Sequence, residues 1–76
     1  MNEAVGPSIF PNPGTSHFTL QLPGGVHTIE VSDTTGRRVL NERTSLQQPT
    51  IGTANLAPGL YHVRVDDGPP LRWVKQ

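Results

Sequence analysis

The sequence predicts an all-β fold, an Ig-like sandwich of seven antiparallel strands with Greek-key connections. Eight glycines and eight prolines divide the 76 residues into short segments, and no segment repeats apolar residues at the i, i+3, i+4 spacing of a helix. The segments between turn signals instead alternate apolar and polar residues, as half-buried strands do. Turn signals recur about every ten residues, which is typical of β-sandwiches.

The segment from Leu56 to Val65 carries the most specific of these signals. A Pro-Gly turn is followed by Tyr61, Val63 and Val65, which alternate toward one face. A leucine, a Pro-Gly turn and a strand-opening tyrosine are typical of the tyrosine corner of a Greek-key sandwich. Gly59 and Tyr61 are therefore predicted to shape the fold.

The expected strands follow one another along a single domain of residues 9–76. Residues 1–8 are polar or small and are expected to be a linker or tail. The strands are predicted at residues 9–10, 17–22, 28–32, 37–41, around 51, 60–66 and 71–75. Residues 42–50 are polar and poorly patterned, so they are expected to be the most mobile part of the domain.

The second and third strands leave two arrangements open. If they pair directly, their apolar faces agree only when Phe18 opposes Val31 and Leu20 opposes Ile29, because a shift by one residue would expose one set. In the alternative arrangement, the chain crosses from one sheet to the other at residues 23–26. The sequence alone does not choose between them.

A hairpin turn is predicted where the third strand ends. Asp33 stands at the first position of the turn and Gly36 at the fourth, which is the preference of a type I turn whose glycine adopts a positive φ. Residues 37–41 return as the fourth strand, with Val39 as the best inward-facing candidate.

The titratable and nucleophilic side chains form no pattern that indicates an enzyme or a metal site. The three histidines fall on different predicted strands, there is no cysteine, and no nucleophile or phosphate-binding motif is present. We therefore expect no catalytic residue, no cofactor and no bound metal. No apolar run approaches the ~20 residues needed to span a bilayer, so no integral membrane segment is expected.

Charge is balanced overall but unevenly distributed. Residues 1–36 carry three carboxylates and no Lys or Arg, whereas residues 37–76 carry six basic and three acidic side chains, which gives −3 and +3. We interpret these charges as solvated strand faces. Such a small excess, without interleaved aromatic residues, does not predict a nucleic-acid partner.

Trp73, the only tryptophan, lies on the last predicted strand and has two interpretations. It could be an exposed platform that stacks on a sugar, or it could pack in the core or at a sheet edge. Packing is favoured, because a domain of this size needs large apolar side chains and tryptophan supplies one.

Several motifs in a fixed order resemble those of a known family. They are Phe-Pro-Asn-Pro-Gly at 10–14, the Asp-x-x-Gly-Arg-x-Val hairpin within 31–39, Leu-x-x-Gly-x-Tyr-x-Val-Arg-Val at 56–65, and Trp-Val-Lys-Gln at 73–76. This set resembles the C-terminal sorting domain of proteins exported by the type IX secretion system. The chain departs from the family at Arg72-Trp73, where Lys-Leu is more frequent, and residues 42–55 match only in length and polarity.

The resemblance implies a function as well as a fold. Family members are Ig-like sandwiches at the C-terminus of secreted cargo, and the few residues that follow Val65 suit such a terminal module. An outer-membrane translocon recognises them, and a surface sortase typically removes them by cleavage in the upstream linker, which residues 1–8 are expected to include. The implied partners are the translocon, the sortase and the linked cargo. The implied route leads through the periplasm to the cell surface or the medium.

The predicted roles of single residues follow from a compact folded unit that binds through exposed turns and edge strands. Contacts with the translocon are predicted for the hairpin tip and the last strand: Gly36, Arg37, Trp73, Val74, Lys75 and Gln76. The last strand is favoured because a terminal segment is sterically free and combines Lys75 with a carboxylate. Architectural roles are predicted for Pro11, Pro13, Asp33, Gly59 and Tyr61.

Other functions fit the same motifs. A structural or adhesive spacer, such as a fibronectin-type-III-like module or the Ig-like part of a flagellar hook-capping protein, shares the hairpin and the tyrosine strand. Position in the parent protein separates the two, because a sorting domain ends its chain whereas a spacer can be internal. A carbohydrate-binding module that uses Trp73 is a third alternative.

Overall fold

Seven strands and no helix make up residues 8–76, the part of the chain described by the structure, which is a computed structural model. The strands are β1 (Ser8–Phe10), β2 (His17–Gln21), β3 (His27–Ser32), β4 (Arg38–Thr44), β5 (Thr50–Gly52), β6 (Gly59–Val65) and β7 (Leu71–Lys75). All strand pairings are antiparallel. The predicted all-β class is confirmed. The predicted linker lies outside the described residues except for Ser8, which begins β1.

The strands form two sheets, and the chain crosses between them after β2. The three-stranded sheet has the order β1-β2-β5, and the four-stranded sheet has the order β4-β3-β6-β7. Phe18 of β2 lies opposite Ile51 of β5, and Val31 of β3 lies opposite Val63 of β6. The crossing at residues 23–26 is therefore the arrangement found, and direct pairing of Phe18 with Val31 is wrong.

The core is built from the positions that alternation marks as inward. Its buried apolar side chains are Phe18, Leu20, Leu22, Ile29, Val31, Ile51, Tyr61, Val63 and Trp73. Because both sheets contribute, the apolar face of each sheet is covered by the other. Thr53 is buried among them, and its hydroxyl donates to the Thr15 carbonyl at 3.3 Å.

β4 extends beyond the strand that the sequence predicts. It runs to Thr44 and pairs with β3 down to His27, although the sequence predicts an irregular segment from residue 42. β4 is an edge strand and its partner β3 supplies its hydrogen bonds, so a polar composition does not prevent pairing. Val39 is half-buried and packs against the core together with Leu40.

Trp73 is a core residue and is wholly buried. The centroid of its ring lies 5.0 Å from that of Phe18 in the other sheet and 6.3 Å from that of Tyr61 on the neighbouring strand. Its indole Nε1 donates to the Pro11 carbonyl at 2.7 Å, which satisfies the polar atom of the ring. Core packing is therefore confirmed, and the sugar-stacking interpretation is wrong because no face of the ring is exposed.

Candidate functional site

The outer edge of β7 is closed by residues 11–14. The Gly14 amide donates to the Val74 carbonyl at 2.9 Å, and the Gln76 amide donates to the Gly14 carbonyl at 2.8 Å. These bonds form a parallel bridge beside Lys75. β7 thus has backbone partners on both sides, and another strand cannot pair with it there. We call this arrangement the β7 closure.

Asn12 extends the β7 closure with its side chain. Its Nδ2 donates to the Arg72 carbonyl at 2.8 Å, and its Oδ1 accepts a hydrogen bond from the Val74 amide at 3.1 Å. The side-chain amide therefore does what the backbone of a further strand would do. Pro11 and Pro13, which flank Asn12, both follow cis peptide bonds.

Gly14 is packed so tightly that an added side chain would crowd its neighbours. A Cβ atom at this position would lie 3.0 Å from the Pro11 carbonyl oxygen and 3.0 Å from Cζ2 of Trp73. Ordinary carbon contacts are longer than this, so any side chain would displace its neighbours. The sequence shows a glycine after Pro-Asn-Pro but gives no sign that it packs on Trp73.

The ammonium group of Lys75 forms hydrogen bonds within the domain. Its Nζ donates to the carbonyls of Thr53 at 2.6 Å, Leu56 at 2.7 Å and Ala54 at 3.3 Å. An ammonium group has three donors, and all three have acceptors here. Lys75 thus holds the loop between β5 and β6 against β7, whereas the sequence predicts it as a contact for a partner.

The hairpin tip between β3 and β4 is organised by Asp33. Its Oδ1 accepts hydrogen bonds from the Thr35 hydroxyl at 2.6 Å, the Thr35 amide at 3.0 Å and the Arg37 amide at 3.0 Å. The Thr35 hydroxyl, followed by the Arg37 amide and charge, lowers the pKa of Asp33 below its ordinary value. Gly36 has a φ of 88°, and the Arg37 side chain is 78% exposed. The tip therefore presents an exposed Arg37 whose Nε lies 3.4 Å from Oδ2 of Asp33 in the same turn.

Tyr61 forms the hydrogen bond of a tyrosine corner. Its hydroxyl donates to the carbonyl of Ala57, four residues upstream, at 2.5 Å. Gly59, between them, has a φ of 152°, which residues with a side chain rarely adopt. These residues shape the loop that leads into β6.

The outer surfaces of β6 and β7 carry side chains that the core does not use. Because alternate residues of both strands point into the core, the residues between them point outward. The outward residues are Leu60, His62 and Arg64 on β6 and Arg72 and Val74 on β7, and we call them the β6–β7 outer face. Leu60 lies opposite Val74, and His62 lies opposite Arg72.

The arginines of this face are exposed and have no ion-pair partner among residues 8–76. Elsewhere on the same sheet, Arg38 lies 3.8 Å from a carboxylate oxygen of Glu30. A shallow hollow of about 270 Å³ adjoins Arg64 and His62, and its lining also includes Glu30 and Asp33. The surroundings of the face therefore contain both signs of charge.

A hydrogen-bonded pair joins the start of β3 to the turn after β6. Nδ1 of His27 lies 2.5 Å from Oδ2 of Asp66, and Nε2 lies 3.1 Å from the Pro23 carbonyl oxygen. Oδ1 of Asp66 accepts from the Thr28 amide at 2.8 Å. The bond to Asp66 raises the pKa of His27, and the same bond, with the Thr28 amide, lowers the pKa of Asp66.

The candidate binding features that the structure describes are exposed surfaces and not an enclosed site. Within residues 8–76, no three His, Cys, Asp or Glu side chains are grouped so as to hold a metal ion. The described part of the chain also has no helix with the length and apolarity needed to cross a membrane. Exposed arginines lie at the hairpin tip, on the β6–β7 outer face and on β4.

A family model described as the secretion system C-terminal sorting domain matches residues 8–75, nearly the whole chain. The chain belongs to this family. The resemblance indicated by the ordered motifs is confirmed. A search of curated proteins found no match.

Sorting domains of this family are signals for type IX secretion and not catalytic domains. Membership implies an exported protein that reaches the cell surface or the medium, with a cargo linked upstream and the type IX machinery as partner. A sorting signal functions by being recognised, so the exposed surfaces of the sorting domain are the candidate site.

The structure separates the predicted contact residues of the sorting domain into exposed and internal ones. Gly36, Arg37, Val74 and Gln76 are exposed. Trp73 lies in the core, and the charge of Lys75 is bound to backbone carbonyls. Arg64 is not among the contact residues predicted from the sequence, although the alternation of β6 places it on the same side as His62.

Proposed function

We propose that this sorting domain directs a covalently linked upstream cargo from the periplasm through the outer membrane, and that a surface sortase then removes the domain. The observation that carries the proposal is the family match over residues 8–75. A signal whose contacts are already held in a fixed geometry loses less conformational entropy when a translocon binds it. The β7 closure, the Lys75 hydrogen bonds and the tyrosine corner support this, because they fix β7 and the loop before β6.

We also propose that the fold is an Ig-like sandwich with Greek-key connections. The strand order supports this, because β2 and β3, β4 and β5, and β5 and β6 are consecutive in the chain but lie in different sheets. Repeated crossing between two sheets is characteristic of Greek-key sandwiches. The bond from Tyr61 to Ala57 adds the tyrosine corner found in that class.

The translocon contacts proposed are the hairpin tip, at Gly36 and Arg37, and the exposed residues at the end of β7. Val74 is 40% exposed, and Gln76 is also exposed. Trp73 and Lys75 contribute to recognition indirectly, because they hold β7 in place. Architectural roles are proposed for Pro11, Pro13, Asp33, Gly59 and Tyr61.

The test is a reporter fusion in a cell that has type IX secretion. Residues 1–76 are joined to the C-terminus of a reporter that a separate signal carries into the periplasm. We expect the reporter at the surface or in the medium of the parent strain and in the periplasm of a strain without a working translocon. Equal localisation in the two strains would contradict the proposal.

Sortase removal is tested separately in the same fusion. With an active sortase, the mass of the surface reporter should correspond to cleavage upstream of Ser8. Without the sortase, the reporter should keep the whole domain. An uncleaved reporter at the surface of the sortase-competent strain would rule out removal and leave export standing.

The spacer function gains no specific support from the fold, which both functions share. The family match favours the sorting signal. The reporter fusion separates the two as well, because a spacer would leave the reporter in the periplasm whether or not the translocon works.

A further inference from the structure

We propose that the β6–β7 outer face docks onto a folded protein of the export machinery that presents carboxylates beside an apolar side chain. The inference rests on the proposed function, which places the partner in that machinery. It specifies which face of the sorting domain binds and which chemical groups the surface of the partner presents.

Arg64 and Arg72 supply the charge of this face. Both are exposed and form no ion pair among the residues that the structure describes, although Glu30, which lies 3.8 Å from Arg38, is opposite Arg64 in the β3–β6 register. Because His62 lies opposite Arg72 on the neighbouring strand, Arg64 is a diagonal neighbour of Arg72, within reach of a shared partner. Guanidinium groups bind carboxylates through paired, charge-assisted hydrogen bonds. Carboxylates on the partner would therefore neutralise both groups.

Leu60 and Val74 supply the apolar contact. They lie directly opposite each other in the β6–β7 register, and Val74 is 40% exposed. Leu60 is half-buried, yet it is not among the partly buried side chains that pack on the core. Arginine beside exposed apolar groups is a composition typical of protein–protein interfaces.

The surroundings favour a folded protein over a polyanionic polymer. The hollow beside Arg64 includes the carboxylates Glu30 and Asp33, and Asp66 and Asp67 line another depression with Glu30. A continuous row of phosphate or uronate groups would meet these negative charges. A protein surface can present acidic groups to the arginines and apolar or basic groups to the other parts of the face.

The test compares matched pairs of arginine substitutions in the reporter fusion. Arg64→Gln with Arg72→Gln removes two positive charges from the face, and the control, Arg38→Gln with Arg43→Gln, removes the same charge from β4. We expect the face pair to lower the surface reporter about tenfold, as loss of roughly one hot-spot contact would. The control pair should stay within about twofold, since exposed charges away from an interface contribute little.

Thermal unfolding shows whether the variants keep the fold. Melting temperatures of both purified variants should lie within about 2 °C of the unsubstituted domain, because exposed arginines contribute little to stability. A loss of export with an unchanged melting temperature then indicates a defect in docking and not in folding.

Two further variants test the chemistry. Arg64→Lys with Arg72→Lys keeps the charge but loses the paired hydrogen bonds, so export should fall several-fold. Val74→Thr keeps the branched shape and the strand preference but adds a hydroxyl to the apolar patch. It should lower export as well, because the hydroxyl must be desolvated at the interface.

The outcomes separate the inference from the proposed function. If the unsubstituted fusion is not exported, the proposed function fails and the inference fails with it. If that fusion is exported and the Arg64/Arg72 glutamine pair is exported equally well, the docking face is wrong and the function stands. If the lysine pair exports normally while the Arg38/Arg43 control is impaired like the face pair, the partner is a polyanion and not a protein surface.

Discussion

Gly14 shows how the absence of a side chain allows distant parts of the chain to meet. Its α-carbon lies against Trp73, its amide donates to Val74 in the same strand as Trp73, and its carbonyl accepts from Gln76, which follows that strand. We expect Gly14→Ala to lower the free energy of unfolding by about 1–3 kcal/mol, the range for overpacking a tight site. Urea unfolding measures this loss.

Gly52→Ala is the matched control for Gly14→Ala. A Cβ atom at Gly52 meets nothing within 4 Å, and alanine reduces the entropy of the unfolded chain. This variant should be neutral or slightly stabilising. Equal destabilisation by the two substitutions would show that contact with Trp73 is not the cause.

Tyr61 is the second residue whose role can be isolated. In Tyr61→Phe the ring stays in the core, but the Ala57 carbonyl loses its donor. We expect a loss of about 1 kcal/mol in the free energy of unfolding, the usual contribution of one hydrogen bond. The urea midpoint should fall with an unchanged slope, and an unchanged midpoint would argue against the tyrosine corner.

Between elements, the contact of His27 with Asp66 joins β3 to the turn after β6 and makes this connection depend on pH. Because the pKa of His27 is raised in the folded state, its contribution to the free energy of unfolding is fully present below 6.5, the pKa of the unfolded state. This contribution is lost as the pH rises through the folded pKa. Because the pKa of Asp66 is lowered in the folded state, its contribution to the free energy of unfolding is fully present above 3.8, the pKa of the unfolded state. This contribution is lost as the pH falls through the folded pKa. The contact is therefore strongest between these limits.

We expect the difference in melting temperature between the unsubstituted domain and His27→Gln to be largest at about pH 5, between the two unperturbed values. It should shrink above neutrality and again in strong acid. Asp66→Asn should give the same profile, since asparagine tolerates the left-handed backbone at this position, where φ is 54°. A difference that stays constant across the pH range would contradict this account.

Strand pairing marks the limit of what alternation can predict. The inward faces of β2 and β3 were predictable because burial of one face has a period of two in any strand order. Their partners were not predictable, because Phe18 and Val31 point inward whether the strands pair or cross. The strand conformation of the polar end of β4 was not predictable from the sequence, because it depends on pairing with β3.

Contacts at the candidate site were predictable only where they are local. The hairpin tip follows from Asp33 and Gly36, whose bonds lie within the turn. By contrast, Asn12 bonds Val74 from 62 positions away and Lys75 bonds Leu56 from 19. No local pattern encodes such partners. The outward direction of Arg64 was predictable, but its place beside Arg72 requires the β6–β7 register.

At the scale of the whole molecule, the last residues hold the fold together. Deleting residues 72–76 removes Trp73 from the core and the Lys75 hydrogen bonds from the loop before β6. We expect the truncated chain to lose cooperative thermal unfolding, as measured by circular dichroism, and its cargo to remain in the periplasm. A truncated chain that still unfolds cooperatively would contradict this prediction. The Arg64/Arg72 glutamine pair is the counterpart that should keep the fold and lose export.

The β7 closure also bears on synthesis. Asn12 and Arg72 are 60 positions apart, so the closure can form only after the ribosome has made nearly all of the domain. A message that breaks off before the codon for Trp73 yields a product without a folded signal. We therefore expect export through this signal to require translation through β7.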